Sequence, residues 1–422
     1  MARRFTERKI YLFATIVHTS AVSFVQYLGR TMSGSTEDDS RENLQGDWQS
    51  RCFDGQRTQD VFVAAAPTSR HDDDRRQLES MAARALDGLG AHGLSPSNIV
   101  CGWIHLARTP AWDWRQVLAG IFGATGPLPI TALLQPPAVP LRYCTMQLHA
   151  IRSARQSGVW HGNAAEPAAA TVLRDGARHL RLMAITPRPG LAQGASVTDL
   201  AYDMLAQAGH ALQARGLSFT DVVRTWIYVQ DIERNYGSLN QARNRYYGEQ
   251  KLVRLPASTC VEGSLVGATV SVAMDLYAIA ASDDVRVQAV PPGAMGEASG
   301  YGSAFARGSH ITEPGRRTLY VSGTASIDAQ GRVVAAGDIQ GQLQRMFANV
   351  RELLDGAGLD FRHALSATAY LKQASYRQAY ARAAVAAGLP ADLPAAVVVA
   401  DICRPEWLCE VELCVARAMP AG

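Results

Sequence analysis

No two cysteines in this 422-residue chain stand at C-x-x-C spacing, and their number, seven, is odd. Cys52, Cys101, Cys144, Cys260, Cys403, Cys409 and Cys414 fall mostly in apolar, strand-like runs. That excludes a disulfide framework and points to a reducing, cytoplasmic compartment. Clustered Cys/His pairs at ligand spacing are missing too, so no metal site is expected. Lys and Arg form no long run, and 41 basic against 38 acidic residues leave a formal charge of +3. A nucleic-acid partner is therefore not expected. With 36 glycines and 19 prolines, the chain has too few of either to be collagen-like or disordered. Beyond residue 28 no stretch is apolar for long enough to span a bilayer, so no membrane partner is expected either.

One segment is ambiguous. Ile10 to Leu28 is mostly apolar and follows Arg3, Arg4, Arg8 and Lys9. His18, Thr19, Ser20, Ser23 and Gln26 interrupt it, and no clear A-x-A site follows. We read residues 1–50 as a tail or a mis-assigned start, with Met32 as a second initiator. A signal peptide or membrane anchor is the alternative.

What the chain does have is an internal repeat, present three times. Each copy runs helix, strand, helix, then a Pro-led pair of strands. The second copy is clearest. Leu200, Met204, Leu205, Ala208 and Leu212 recur at helical spacing, and Gly216 follows as a stop. Val222 to Val229 is β-branched and aromatic, so it predicts a strand. A helix from Asn235 to Glu249, a strand opened by Leu255-Pro256 and a long strand ending at Ala280 complete the copy. The third copy repeats this order from Ile339 to Ala416, with Leu393-Pro394 at the same place. The first is degenerate but traceable from Leu78 to Ile151, with Leu128-Pro129. Leu180 to Ile185 and Thr318 to Val321 predict an opening hairpin for the second and third copies. The units are set at 51–155, 156–285 and 286–422.

This order, with VVRTWIYVQDI, LPASTCVEG and MDLYAIA in the second copy, resembles the YjgF/RidA family. The resemblance implies an α+β fold of three tandem RidA-like, chorismate-mutase-like units. Each would be a mixed sheet with helices packed on one face, and the three would form an intramolecular pseudo-trimer. Simple members are enamine/imine deaminases with an Arg two residues after the Pro-led opening dipeptide. Here Thr131, Ser258 and Ala396 hold that place, which argues against deamination.

A narrower resemblance is to the chorismatases. It rests on RTWIYV (224–229), YGSAFARG (301–308), YVSGTAS (320–326), GDIQGQ (337–342), Leu371-Lys372 and DICRPEWLCEVEL (401–413). It implies chorismate as substrate, no cofactor, and a monomer or small homo-oligomer. Chorismate carries two carboxylates, a hydroxyl and an enol ether to pyruvate. Cleavage needs a proton on the enolpyruvyl methylene carbon, hence one acid that stays protonated near neutral pH.

Strand alternation puts Glu410 and Glu412 on one face and Cys409, Val411 and Leu413 on the other. The resemblance selects Glu410 as the acid. An apolar cleft would raise its pKa. Arg404, Arg307, Arg224 and Lys372 are the candidate carboxylate receivers. Tyr301 and Tyr228 are candidates to contact the ring or a carboxylate, and Gln342 to place water or a hydroxyl. Gly323 and Cys403 stand where the resemblance places product-determining residues. The 3-hydroxybenzoate-forming type has Gly and Cys there, and the dihydrodiol-forming type has Ala and a small residue other than Cys. In the final strand, the first copy has Gln147 and the second Asp275 where the third has Glu, so one active site is expected, between the third copy and a neighbour.

The alternatives are a chorismatase giving a dihydrodiol or mixed 3- and 4-hydroxybenzoate, a RidA-like deaminase or non-catalytic binder, a chorismate mutase, and a scaffold. Only the chorismatases would release pyruvate from chorismate.

Overall fold

The computed structural model describes residues 48–420 except 56–57, 154–166, 175–176, 192–193 and 281. The Ile10–Leu28 segment lies outside the described residues. Among those described, no helix is long and apolar enough to cross a membrane.

The first copy comprises β1 (Trp48–Asp54), β2 (Thr58–Ala65), α1 (Asp74–Gly90), β3 (Ile99–Leu106), α2 (Trp114–Phe122), β4 (Ile130–Leu134) and β5 (Cys144–Ser153). The second has β6 (Ala168–Arg174), β7 (Ala177–Ile185), α3 (Val197–Gln213), β8 (Val222–Val229), α4 (Ile232–Glu249), β9 (Ala257–Glu262) and β10 (Val272–Ala280). The third starts with an added edge strand, β11 (Arg286–Ala289). It continues with β12 (Gly308–Glu313), β13 (Arg316–Ala325), α5 (Ile339–Gly356), β14 (Ala364–Leu371), α6 (Arg377–Ala387), β15 (Ala395–Val399) and β16 (Cys409–Ala418). β1 begins three residues inside the segment read as tail, because Trp48 already pairs with Ala65.

The three sheets share one order: β1-β2-β5-β3-β4, β6-β7-β10-β8-β9, and β12-β13-β16-β14-β15 with β11 outside. In each, the Pro-led strand runs parallel to its neighbour and the other pairs are antiparallel. Parallel pairing needs a crossover, and the second helix of each copy supplies it. Helix starts follow from their caps. Asp73 accepts the Arg76 N–H at 2.9 Å, and Ser196 with Asp199 forms a capping box. The last strand of each copy is central and buried on both faces over its first eight residues. In β16, Cys409, Val411, Leu413 and Val415 pack with Leu343, Met346 and Val350 of α5. Glu410, Glu412 and Cys414 face the other copies.

Three equivalent backbone contacts close the copies into a ring. The last residue of each Pro-led strand donates its N–H to the next copy: Leu134 to the Ser264 carbonyl (2.9 Å), Glu262 to Asp401 (2.9 Å), Val399 to Pro136 (2.7 Å). A second set is made by one polar side chain per central strand. Asp275 accepts from the Trp103 indole (2.8 Å), Glu412 from the Trp226 indole (3.0 Å), and Gln147 from the Thr368 hydroxyl (3.1 Å). The register makes these three residues equivalent: Gln147 lies opposite Trp103, Asp275 opposite Trp226, Glu412 opposite Thr368. This corrects one sequence expectation. Gln147 and Asp275 match Glu412, not Glu410. The places equivalent to Glu410 hold Thr145 and Ala273.

A buried ionic cluster joins all three copies elsewhere in the ring. Asp60 accepts from Arg316, Arg174 and His149, and Arg174 also grips Glu313 at 2.8 and 3.0 Å. Burial pushes His149 and His179 down to about 4. Against the cost of burial, Arg316 and Arg174 hold Asp60 well below the carboxylate range, and Arg174 and His179 bring Glu313 to about 2. Below about 6.5 an unfolded chain takes up protons on both histidines that the folded chain refuses. Stability should therefore begin to fall near pH 6.5, well before the carboxylates titrate. Melting temperature measured from pH 8 to 4 checks this. Asp60→Asn should cost about 3–5 kcal/mol in denaturant unfolding, because it strips a buried anion from two guanidiniums.

Candidate active site

Glu410 points from β16 into a narrow cavity between the third and second copies. The third copy contributes Gly323 and Ala325 of β13, with Cys403 and Trp407 from the loop before β16. The second contributes Tyr236 and Arg243 of α4, and Ser258 and Cys260 of β9. The segment between the copies adds Tyr301, Phe305 and Arg307.

Glu410 is 4% exposed, and its carboxyl has no hydrogen bond among the described residues. Burial first, and the neighbouring Glu412 second, push it from 4.5 up to about 8, with Arg224 and Arg307 pulling the other way. Glu410 therefore holds a proton at neutral pH. Gly323 lies against it: a Cβ there would come 2.0 Å from Glu410 Oε1 and 2.8 Å from Cδ. The Gly323 N–H donates to Thr259 Oγ1 at 2.9 Å, which fixes the backbone at that close approach.

Two buried guanidiniums line the same cavity. Arg307 donates to Tyr301 Oη at 2.6 Å and to the Gly296 carbonyl at 3.1 Å. Arg243 donates to Asn240 Oδ1 at 2.6 Å, while its buried Nε has no partner. Among the described residues neither is paired with a carboxylate. Arg404 stacks outside them, 4.8 Å from the Tyr301 ring centroid and 5.1 Å from that of Trp407, and bonds the Gly331 carbonyl. Cys403 lines the cavity, and burial, then Glu410, push its thiol well above the ordinary range. It stays a thiol and is no nucleophile at neutral pH.

The structure thus brings Glu410, Arg307, Tyr301, Gly323 and Cys403 to one cavity, with Arg404 packed behind it. Four candidates are elsewhere. Arg224 is consumed by Glu412 at 2.6 Å and by Thr259, and it lines a different cavity. Tyr228 donates to Asp275 at 2.8 Å in the contact between the first two copies. Lys372 sits at the surface, where it bonds Glu233 and the Pro405 carbonyl. Gln342 spends its amide on backbone, donating to the Glu406 carbonyl (2.8 Å) and accepting from the Leu408 N–H (2.9 Å). It holds the Cys403–Trp407 loop rather than a water or substrate hydroxyl.

Sequence reasoning passed over Arg243, Tyr236, Phe305, Cys260 and Trp407. Arg243 did carry a signal. It falls on the buried face of α4 with Leu239, Ala242 and Tyr246, where a charge is out of place without a task. Ser258, noted only for not being Arg, is a wall of the cavity.

A protonated acid beside two cations lacking counter-charges can receive a small dianion and give it a proton. The family model described as Endoribonuclease L-PSP matches residues 183–280 and 303–417, just over half of the chain. The crystal structure of a chorismatase superposes with a TM-score of 0.56 at 18% identity, covering 76% of this chain and 93% of that one. At that identity the likeness is one of fold. RidA from the Antarctic bacterium Psychrobacter sp. matches at 16% identity over 30% of this chain and 98% of its own, TM-score 0.25. E. coli TdcF, solved with bound serine, matches at 18% over 31% and 97%, TM-score 0.24. No curated protein matches the chain.

Proposed function

Because this chain belongs to the Endoribonuclease L-PSP family and carries a neutral buried acid in the cleft between two of its units, we propose that it is a chorismatase of the 3-hydroxybenzoate-forming type. The observation that carries this reading is the pairing of protonated Glu410 with two guanidiniums that have no carboxylate of their own. Chorismate brings two carboxylates and one basic carbon, and the cavity offers two cations and one proton. Arg243 and Arg307 receive the carboxylates, with Tyr301 oriented by Arg307. Glu410 protonates the enolpyruvyl methylene carbon, and the resulting oxocarbenium makes pyruvate a leaving group. The substrate's 4-hydroxyl displaces it at the ring, giving an epoxide that opens and aromatises. The 4-hydroxyl proton returns to Glu410. Chorismate thereby divides into 3-hydroxybenzoate and pyruvate with no water consumed.

Gly323 favours this reading over the dihydrodiol type, because the acid carboxyl occupies the space an alanine methyl would need. Product analysis separates the two: displacement by the 4-hydroxyl gives the aromatic acid, whereas water adding to the oxocarbenium carbon would release pyruvate and leave the non-aromatic diol with both ring oxygens retained. A deaminase would carry an Arg where Thr131, Ser258 and Ala396 stand, a simple binder would have no need of a proton donor, and a mutase would release no pyruvate. Arg243→Gln should raise KM for chorismate by about 10–100-fold through loss of a charge-assisted contact worth about 1.5–3 kcal/mol. Steady-state kinetics with kcat and KM resolved checks it.

A further inference from the structure

The Glu410 cavity holds about 20 Å³ of free volume, room for about one water. A ligand larger than water therefore enters only if a wall moves. The walls differ in how they are held. β13 and β16 are each paired on both sides within their sheet. α4 packs Leu239, Ala242 and Tyr246 into the core of the second copy. The loop 403–407 is fixed along its length. Ile402 bridges to Val261, Gln342 bonds the Glu406 carbonyl and the Leu408 N–H, and Lys372 bonds the Pro405 carbonyl. Trp407 closes it from inside, at 4% exposed.

The remaining wall is a strap, residues 296–303, that reaches from the third copy to α4 of the second. One turn of 3₁₀ helix, Ala298–Tyr301, sits between Gly296 and Gly302. Both glycines have positive φ, 62° and 86°. Only Ala298 and Ser303 of the strap are buried. Two contacts hold it to α4. The Tyr236 and Ser303 hydroxyls share a hydrogen bond of 3.1 Å, and the Asn244 amide donates to the Gly302 carbonyl at 3.0 Å. On its inner side Arg307 donates to the Gly296 carbonyl and to Tyr301 Oη. The strap thus hangs on a few side-chain hydrogen bonds, where the other walls have sheet pairing or core packing. Such segments open at the lowest free energy.

We infer that residues 296–303 are a lid on the Glu410 cavity. It turns on Gly296 and Gly302 and carries Tyr301 away from Arg307 to admit a ligand, while loop 403–407 stays in place. The inference rests on the size and walls of the cavity, not on the identity of the substrate.

The test measures entry into the cavity of the full chain. Cys260 is a buried wall of that cavity. Methyl methanethiolsulfonate reaches it only through an opening: the Cys260 thiolate takes the S-methyl group and methanesulfinate leaves. Peptide mass spectrometry follows the rate. Gly302→Ala puts a methyl group in open space and strains only the closed backbone. It should speed Cys260 labelling about five- to thirtyfold, the cost of a left-handed residue other than glycine. Asn244→Leu removes the bond to the Gly302 carbonyl and should speed it about two- to tenfold. Lys372→Met frees loop 403–407 from one of its anchors and should leave the rate unchanged. The Ser303 amide, bonded to the Ala298 carbonyl across the Gly302 hinge, should exchange hydrogen faster in both lid variants, and the Leu408 amide should not. The inference is overturned if neither lid variant speeds the labelling, or if Lys372→Met speeds it instead. It is equally overturned if Cys101 and Cys144, buried in the first copy, label in step with Cys260, since entry would then be by unfolding. None of these readouts involves chorismate, so the lid and the proposed reaction fail separately.

Discussion

Glu410→Gln is expected to abolish pyruvate release from chorismate and, at the same time, to make the protein more stable above neutral pH. The first effect follows from chemistry. An amide fills the same space but has no acidic proton for the methylene carbon. General acid catalysis contributes about 10²–10⁴-fold, and kcat should fall by at least that much. Wild-type kcat/KM should decline as pH rises through about 8, where the buried carboxyl loses its proton. The second effect follows from linkage. An unfolded chain releases this proton near 4.5, while the folded chain keeps it to about 8. Between those values, rising pH favours unfolding, at pH 7 by on the order of 3 kcal/mol. Glutamine has no proton to lose. The variant should therefore melt above wild type at pH 8 and together with it near pH 4.5. A purely structural Glu410, ionised and satisfied, predicts the opposite: the amide variant would melt lower.

Gly323→Ala is the second change with a large expected effect. The glycine permits the closest approach to the acid, since a methyl group there would overlap Oε1 at 2.0 Å. That gap is far inside any real contact, so the Glu410 carboxyl must swing away. We expect turnover to fall 10- to 100-fold, because a displacement of about 1 Å is enough for such losses. The remaining product should shift toward the non-aromatic diol. Chromatography of products from the variant, beside its melting curve, checks both parts. Unchanged rate and product would remove Gly323 from any role in positioning the acid.

Much of this architecture was legible in the sequence. The strand Val222–Val229, the Pro-led strands and the final strand of each copy follow from composition and punctuation alone, and the three-fold order shows in their succession. Glu410 and Glu412 share a face, as a period of two requires. What alternation could not supply was the division of labour between them. Two residues along a strand move a side chain by almost 7 Å, enough to pass from a cavity to an inter-copy contact. Glu412 therefore meets Arg224 and Trp226, while the Glu410 carboxyl has no hydrogen-bond partner among the described residues. For the same reason Gln147 and Asp275 were set against the wrong glutamate. The pairing register, which needs three dimensions, is what aligns them with Glu412. Arg224 and Tyr228 belong to a matched motif, yet the motif does not say which cavity each faces. Arg243 belongs to no motif, and only its place on a buried helix face marked it.

The central claim is tested most directly by purified protein with chorismate, with pyruvate and the aromatic products separated and quantified beside Glu410→Gln. The account predicts pyruvate and 3-hydroxybenzoate in equal amounts from wild type and neither from the variant. Chorismate left intact by wild type, or pyruvate still formed by Glu410→Gln, would contradict it.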